Sequence, residues 1–237
     1  MKSTTVKWLS ILTVSSIIVG CQAADSKEEI TSSEALTTTQ DVESHSHESE
    51  HNHAHDEEIE KIHAGYFEDS QVHERSLSDW EGDWQSVYPY LLDGTLDEVF
   101  AHKVQQNEDM TAEEYKTYYD VGYKTDTERI VIQGNNVTFF NNGEANTGEY
   151  QSDGYEILTY EAGNKGVRYI FKLVEPTKGV SQYIQFSDHS ISPNDADHYH
   201  LYWGDDRKAL LEEVINWPTF YPSELDGHTI AHEMMAH

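Results

Sequence analysis

Fourteen histidines stand beside a single cysteine in this 237-residue chain. One thiol can form neither an internal disulfide nor a thiolate zinc cluster, so a metal site here must be built from imidazoles and carboxylates. The densest candidate is the run from Ser187 to His200, which contains His189, His198 and His200. His198 and His200 are two residues apart, so on a strand both imidazoles point to one face. Pro193-Asn194-Asp195 breaks the run and favours a hairpin-like connection, which would bring His189 toward the other two. Three converging imidazoles supply three ligands of a tetrahedral zinc site, the fourth being water, a carboxylate or another histidine. The competing reading is a histidine-decorated exposed strand, because an isolated H-x-H is a weak signal. Asp188 and Asp197 adjoin the candidate ligands and are candidates to orient imidazoles, although neighbours on a strand face opposite ways.

The remaining histidines divide by context. His45, His47, His51, His53 and His55 are interleaved with Glu48, Glu50, Asp56 and Glu57, in a stretch with no aromatic residue between Trp8 and Tyr66. Such a segment buries too little apolar surface to offset ordering, and is expected to be a flexible arm that collects borderline cations weakly. His228 and His232 are four apart on an expected terminal helix. His232-Glu233 fails the H-E-x-x-H register because the next histidine is His237, so these two read as surface residues. His237 itself, at the chain end, is a candidate additional ligand. His63, His73 and His102 stand alone and read as surface or structural residues.

Fifteen Lys and Arg against 44 Asp and Glu give a formal charge of −29. A chain so acidic repels phosphate backbones and anionic lipid surfaces, which excludes nucleic acid as a partner and favours cations. Lys2 and Lys7 precede an apolar run from Trp8 to Gly20, the layout of an export signal. Ile18-Val19-Gly20-Cys21 resembles a bacterial lipobox, which predicts a signal over 1–20 and a lipid anchor on Cys21. The organisation expected is therefore a signal, a tether over 21–65, and a folded domain over 66–237 attached to the extracytoplasmic side of a bacterial membrane.

Short alternating runs at 128–132, 136–140, 155–160, 167–171 and 182–186 predict antiparallel strands, with Gly134-Asn135, Asn142-Gly143, Asp153-Gly154 and Gly163-Asn164 as turns. Helical spacing appears at 95–106, at 111–121 with Thr111 and Glu114 as a capping pair, and near 206–215 and 226–237. A mainly β sandwich or closed barrel with short helices follows.

Several longer motifs, Leu77 to Pro89, Gly154 to Tyr160, Lys165 to Tyr169, Tyr183 to His189 and Asn216 to Pro222, resemble the ZinT (YodA) family. They also resemble the ZinT-like C-terminal domains of zinc-uptake binding proteins. The resemblance implies a lipocalin-like (calycin) antiparallel β-barrel with short helical additions, with Gly82-Asp83-Trp84 similar to the G-x-W of a first barrel strand. It implies Zn2+ held by His189, His198 and His200, acceptance of Cd2+, and handover to the zinc-binding component of an ABC importer. Ni2+ and Cu2+ are further expected ligands in vitro. Two alternatives belong to other classes: a zinc-dependent hydrolase using the same three imidazoles, and a lipocalin-type carrier of an apolar ligand. The sequence offers no motif that supplies a general base, so a non-enzymatic role is preferred.

Overall fold

The computed structural model describes residues 58–107 and 109–236. The signal, Cys21, the arm from His45 to His55 and His237 lie outside the described residues.

Eight strands form a closed antiparallel barrel in chain order: β1 (Gly82–Ser86), β2 (Thr127–Gln133), β3 (Asn136–Asn141), β4 (Glu144–Thr159), β5 (Lys165–Leu173), β6 (Tyr183–Ser187), β7 (Tyr199–Gly204) and β8 (Thr219–Pro222). β8 closes on β1 through Trp84↔Pro222, Gln85↔Tyr221 and Ser86↔Phe220. Closure removes the unpaired edges that an open sheet would expose. The helices are α1 over residues 58–63, α2 (Tyr88–Leu92), α3 (Asp97–Gln106), α4 (Ala112–Tyr123), α5 (Arg207–Glu212) and α6 (Gly227–Ala236).

Local chemistry accounts for most boundaries. Thr111 caps α4: its hydroxyl accepts from the Glu114 N–H, and the Glu114 carboxylate accepts from the Thr111 N–H, the reciprocal pair expected from the sequence. Asp206 caps α5 by accepting from the Lys208 and Ala209 N–H groups. That helix stops at Glu212, short of the expected Ile215, because the Glu213 carboxylate accepts from the Ile215 and Asn216 N–H groups and turns the chain. The expected turn at Asp153-Gly154 is instead a bulge inside the 16-residue β4, where the register against β5 shifts between Ser152 and Tyr155. Gly154 takes φ +83°, which a glycine adopts at little cost, so the strand bends without ending.

Alternation along the strands creates two apolar clusters. Inward-facing rings fill the barrel: Trp80 stacks on Phe186 at 4.6 Å, and Trp84 meets Tyr199 edge-on at 4.7 Å. Trp80, Phe186, Tyr199 and Phe220 are wholly buried. Burying each such ring contributes roughly 1.5–3 kcal/mol. The second cluster lies on the outer wall, where Tyr221 of β8 joins Val87, Leu91, Val99, Phe100, Tyr123 and Ile230 from the region of α2, α3, α4 and α6. One close approach locks this layer to the loop before β8. The Asn216 amide donates to the carbonyls of Val121, Gly122 and Lys124 at the end of α4, and the Trp217 N–H donates to Gly122 at 2.6 Å. A Cβ on Gly122 would lie 2.3 Å from the Trp217 ring, so only glycine fits there.

Candidate metal centre

The register of β7 against β8 decides which side chains face the site. Tyr199 pairs with Phe220 and both point into the barrel core, so the next pair, His200 with Thr219, points out. His198, just before β7, shares that outward direction and stacks flat on Tyr221, with ring centroids 5.0 Å apart and planes at 11°. The site thus stands on the outer wall, between the barrel and the helical layer, while packed rings occupy the inside. His189 arrives from the other side of the connection, two residues after β6. Each of His189, His198 and His200 offers a ring nitrogen, and the three nitrogens lie within 4.8 Å of one another. Among the described residues they form the group of ligand-bearing side chains able to hold a metal ion. Ring centroids are 5.5 to 6.0 Å apart. Zn–N bonds of ~2.0–2.1 Å in a tetrahedron require nitrogens about 3.3 Å apart, so the trio is close to a ligating arrangement.

His200 is held in one tautomer. Its Nδ1 is 2.8 Å from Thr219 Oγ1, and that hydroxyl donates its own proton to the Trp217 carbonyl at 3.0 Å. The hydroxyl therefore has only lone pairs to offer His200, which makes Nδ1 the protonated nitrogen and leaves Nε2 bare for a cation. Trp217 also packs edge-on against the same imidazole at 5.7 Å. Burial, and after it the neighbouring His189 and His198 rings and the Arg168 guanidinium, hold the His200 pKa well below its usual 6.5. The imidazole thus stays neutral, the form that binds metal.

Two cavities meet at these rings. One, of about 520 Å³, is lined by Glu60, His63, Asp188, Asp197, His189 and His198 among others. The second, about 360 Å³, brings all three imidazoles against Tyr118, Tyr119, Tyr123, Trp217 and Tyr221. Burial raises the Tyr119 phenol to about 12, so this aromatic wall is neutral at physiological pH.

The hydrogen bonds of Asp188 run to Arg75, Trp80 and Ser190. Its oxygens accept from Arg75 Nη1 at 2.7 and 2.8 Å, from Trp80 Nε1 at 3.1 Å and from the Ser190 N–H at 3.2 Å. The carboxylate turns toward Arg75 and Trp80 and also lines the larger cavity. The side chain hydrogen-bonded to His200 is Thr219, which sequence spacing did not single out: only the pairing of a four-residue strand with β7 brings it there. Asp197 lines the larger cavity. His63, read as isolated, stands on the wall of that same cavity. His228 is exposed and 3.7 Å from Glu98, and His232 is exposed on α6, as expected of surface residues. His73 is exposed, and His102 bonds with Gln106 along α3.

Comparison with known proteins adds independent findings. A sequence model of the family described as "ZinT (YodA) periplasmic lipocalin-like zinc-recruitment" matches residues 58–237. The chain is 61% identical to the "Probable metal-binding protein YrpE" of Bacillus subtilis (strain 168), over 98% of each chain. It is 53% identical to the "Zinc-binding protein AdcA" of Streptococcus pyogenes, over 74% of this chain but only 35% of that one. Among solved structures, the Zn(II)-bound ZinT-like domain of Streptococcus pneumoniae AdcA superposes with a TM-score of 0.72 at 46% identity, covering 73% of this chain and 97% of that domain. The whole Zn(II)-bound AdcA of the same organism gives 0.72 at 47% identity, with 38% of its length covered.

Proposed function

The chain belongs to the ZinT (YodA) family, and on that premise we propose that it is an extracytoplasmic zinc-binding protein holding Zn2+ through His189, His198 and His200. The observation that carries this reading is the convergence of the three ring nitrogens within 4.8 Å, with His200 fixed in the tautomer that exposes Nε2. Imidazole donors suit Zn2+, and also Cd2+, Ni2+ and Cu2+ in vitro. The fourth position is open to water or to His237. The relatives named as zinc-binding proteins support a role in supply: the protein buffers zinc outside the cytoplasm and passes it to the zinc-binding component of an ABC importer. In this reading Cys21 carries the lipid anchor, and His45, His47, His51, His53 and His55 gather cations for the barrel site.

Three imidazoles with a free position also describe a catalytic zinc. Here the carboxylate next to His189 is committed to Arg75 and Trp80 rather than offered as a base, which supports a carrier over a hydrolase. The interior filled by packed rings likewise weighs against a carrier of apolar ligands.

The test is zinc titration of the whole protein against a chromophoric chelator, beside His198→Ala/His200→Ala and a second variant with the five arm histidines replaced by Ala. The tight equivalent should vanish in the first and persist in the second. Its survival in the first would refute the assignment of the site.

A further inference from the structure

His189 has an unusual backbone. Its φ is +65°, and among the described non-glycine residues only Asn142, in a tight turn, shares that sign. An L residue with a full side chain is strained in this region, and it stays there only where the surroundings over-determine it. The sequence keeps histidine where glycine would relieve the strain, and the restraint is visible on both sides. Asp188 Oδ1 accepts from the Ser190 N–H, bridging over His189 in an Asx-type turn. The same carboxylate takes both bonds from Arg75 Nη1 and a third from Trp80 Nε1.

Arg75 reaches further than this one pair. Its side chain is fully buried, and its guanidinium stacks 4.1 Å from the Trp80 centroid. Nε donates to Asp79 at 2.8 Å, and Nη2 donates to the Asn194 carbonyl at 3.0 Å. Asp79 in turn accepts from the Asn194 and Ala196 N–H groups, through its carboxylate and its carbonyl respectively. One guanidinium therefore fastens the residue before His189 and the connection that leads to His198. A planar fork with several fixed donors is suited to this task, and lysine is not.

We propose that the buried Arg75–Asp188 pair is a positioning device for the metal site: it holds His189 in its left-handed conformation and keeps its ring against His198 and His200 before any ion arrives. Arg75 and Asp188 touch no metal; they act through His189. The inference rests on the three-histidine reading above, and its consequences for the ion-free protein do not.

The test uses the whole protein in two measurements. The first compares wild type with Arg75→Met/Asp79→Asn/Asp188→Leu, which removes the buried cation together with both carboxylates it pairs with, so that no charge is left behind unpaired. Zinc affinity should fall about tenfold or more, in line with losses on removing groups that orient ligands. The Co2+ visible spectrum should lose intensity as the tetrahedral field loosens. Arg129→Gln, which breaks an exposed pair with Asp83, should change neither. A folded triple variant that binds zinc within twofold of wild type, with an unaltered Co2+ spectrum, overturns the proposal.

The second measurement needs no metal and no change to the pair. If His189 is held against its preference, ion-free His189→Gly should melt about 2–4 °C above His189→Ala, since glycine alone relaxes at positive φ. A glycine variant melting at or below the alanine variant overturns the proposal even where the triple variant fails to fold. Undiminished zinc binding by His189→Ala would instead count against the metal site and leave the melting comparison standing.

Discussion

Replacing Thr219 with valine keeps the shape of the side chain and removes one hydroxyl. That hydroxyl accepts from His200 Nδ1 at 2.8 Å and donates to the Trp217 carbonyl at 3.0 Å. In the variant the Nδ1–H of His200 faces a methyl group, and a buried donor left without a partner costs about 1–3 kcal/mol. The ring can escape by shifting its proton to Nε2, but that nitrogen is then lost to a metal. Either way zinc binding bears the cost, and about 1.4–2.8 kcal/mol corresponds to the 10–100-fold loss typical of groups that orient a ligating histidine. Thr219→Val should therefore weaken zinc by about that factor, read in competition with a chromophoric chelator. Two-dimensional 15N NMR of the imidazoles should show the fixed tautomer of His200 giving way to a mixture. Thr219→Ser retains the hydroxyl and should stay near wild type. A folded valine variant with unchanged affinity and an unchanged His200 tautomer would refute the argument.

Three further expectations follow from the same geometry. Because burial holds the His200 pKa below 6.5, the unfolded chain takes up a proton that the folded one refuses. Ion-free stability should thus fall as pH drops below about 6.5, by up to ~1.4 kcal/mol per pH unit until the depressed folded value is reached. Urea midpoints between pH 7 and 5 should show this slope reduced in His200→Gln, and an equal slope would contradict it. Gly122→Ala drives a methyl into the Trp217 ring at 2.3 Å and should cost about 1–3 kcal/mol in thermal or urea unfolding while weakening zinc binding, because Trp217 also walls His200. A neutral effect on both would mean that the end of α4 yields freely. Saturating zinc should raise the melting temperature of wild type and leave His198→Ala/His200→Ala unmoved in calorimetry, since only an ion bound to the folded state stabilises it.

Much of this was legible in residue order, for identifiable reasons. The strands over 128–140 alternate because one face of each is buried in the barrel, whereas 167–171 and 184–186 are buried on both faces and show as short, mostly apolar runs between turn residues. The capping pair Thr111 and Glu114 is a purely local signal and survives in the fold. His198 and His200 share a face for the simplest of reasons, the two-residue period of a strand. What was not legible depends on contacts distant in sequence. β8 has only four residues, and α2 begins with a tyrosine and a proline in a five-residue turn, so neither carries enough periodicity to be seen. Thr219 becomes important only through its register with β7. Asp188 pointed to the imidazoles by adjacency, whereas Arg75, 113 residues away, claims it. The left-handed backbone of His189 has no sequence signature, since histidine, although enriched there among non-glycine residues, adopts positive φ at only a small share of its positions.

Attraction and retention of the cation fall to different residues, and ionic strength should separate them. Imidazoles bind a metal in their neutral form and bring no net charge to it, so a divalent ion seated on these three is held by short bonds rather than by the field of the protein. The field comes from elsewhere: a formal charge of −29 over the chain, with Glu60, Asp188 and Asp197 on the cavity shared by His189 and His198. Asp188 is tied to Arg75, a cation it shares with Asp79, whereas Glu60 and Asp197 line that wall without such a bond to Arg75. Such a field acts over a screening length of about 10 Å at 0.1 M salt and about 3 Å at 1 M. Raising an inert salt over that range should slow zinc association severalfold while dissociation, which breaks Zn–N bonds, stays nearly constant. Stopped-flow mixing with a fluorescent chelator measures both rates. Glu60→Gln/Asp197→Asn should flatten the salt dependence of association and leave dissociation alone. A dissociation rate that rises with salt as steeply as association falls would mean that these carboxylates hold the ion themselves, and the division of labour argued from the neutral trio would fail.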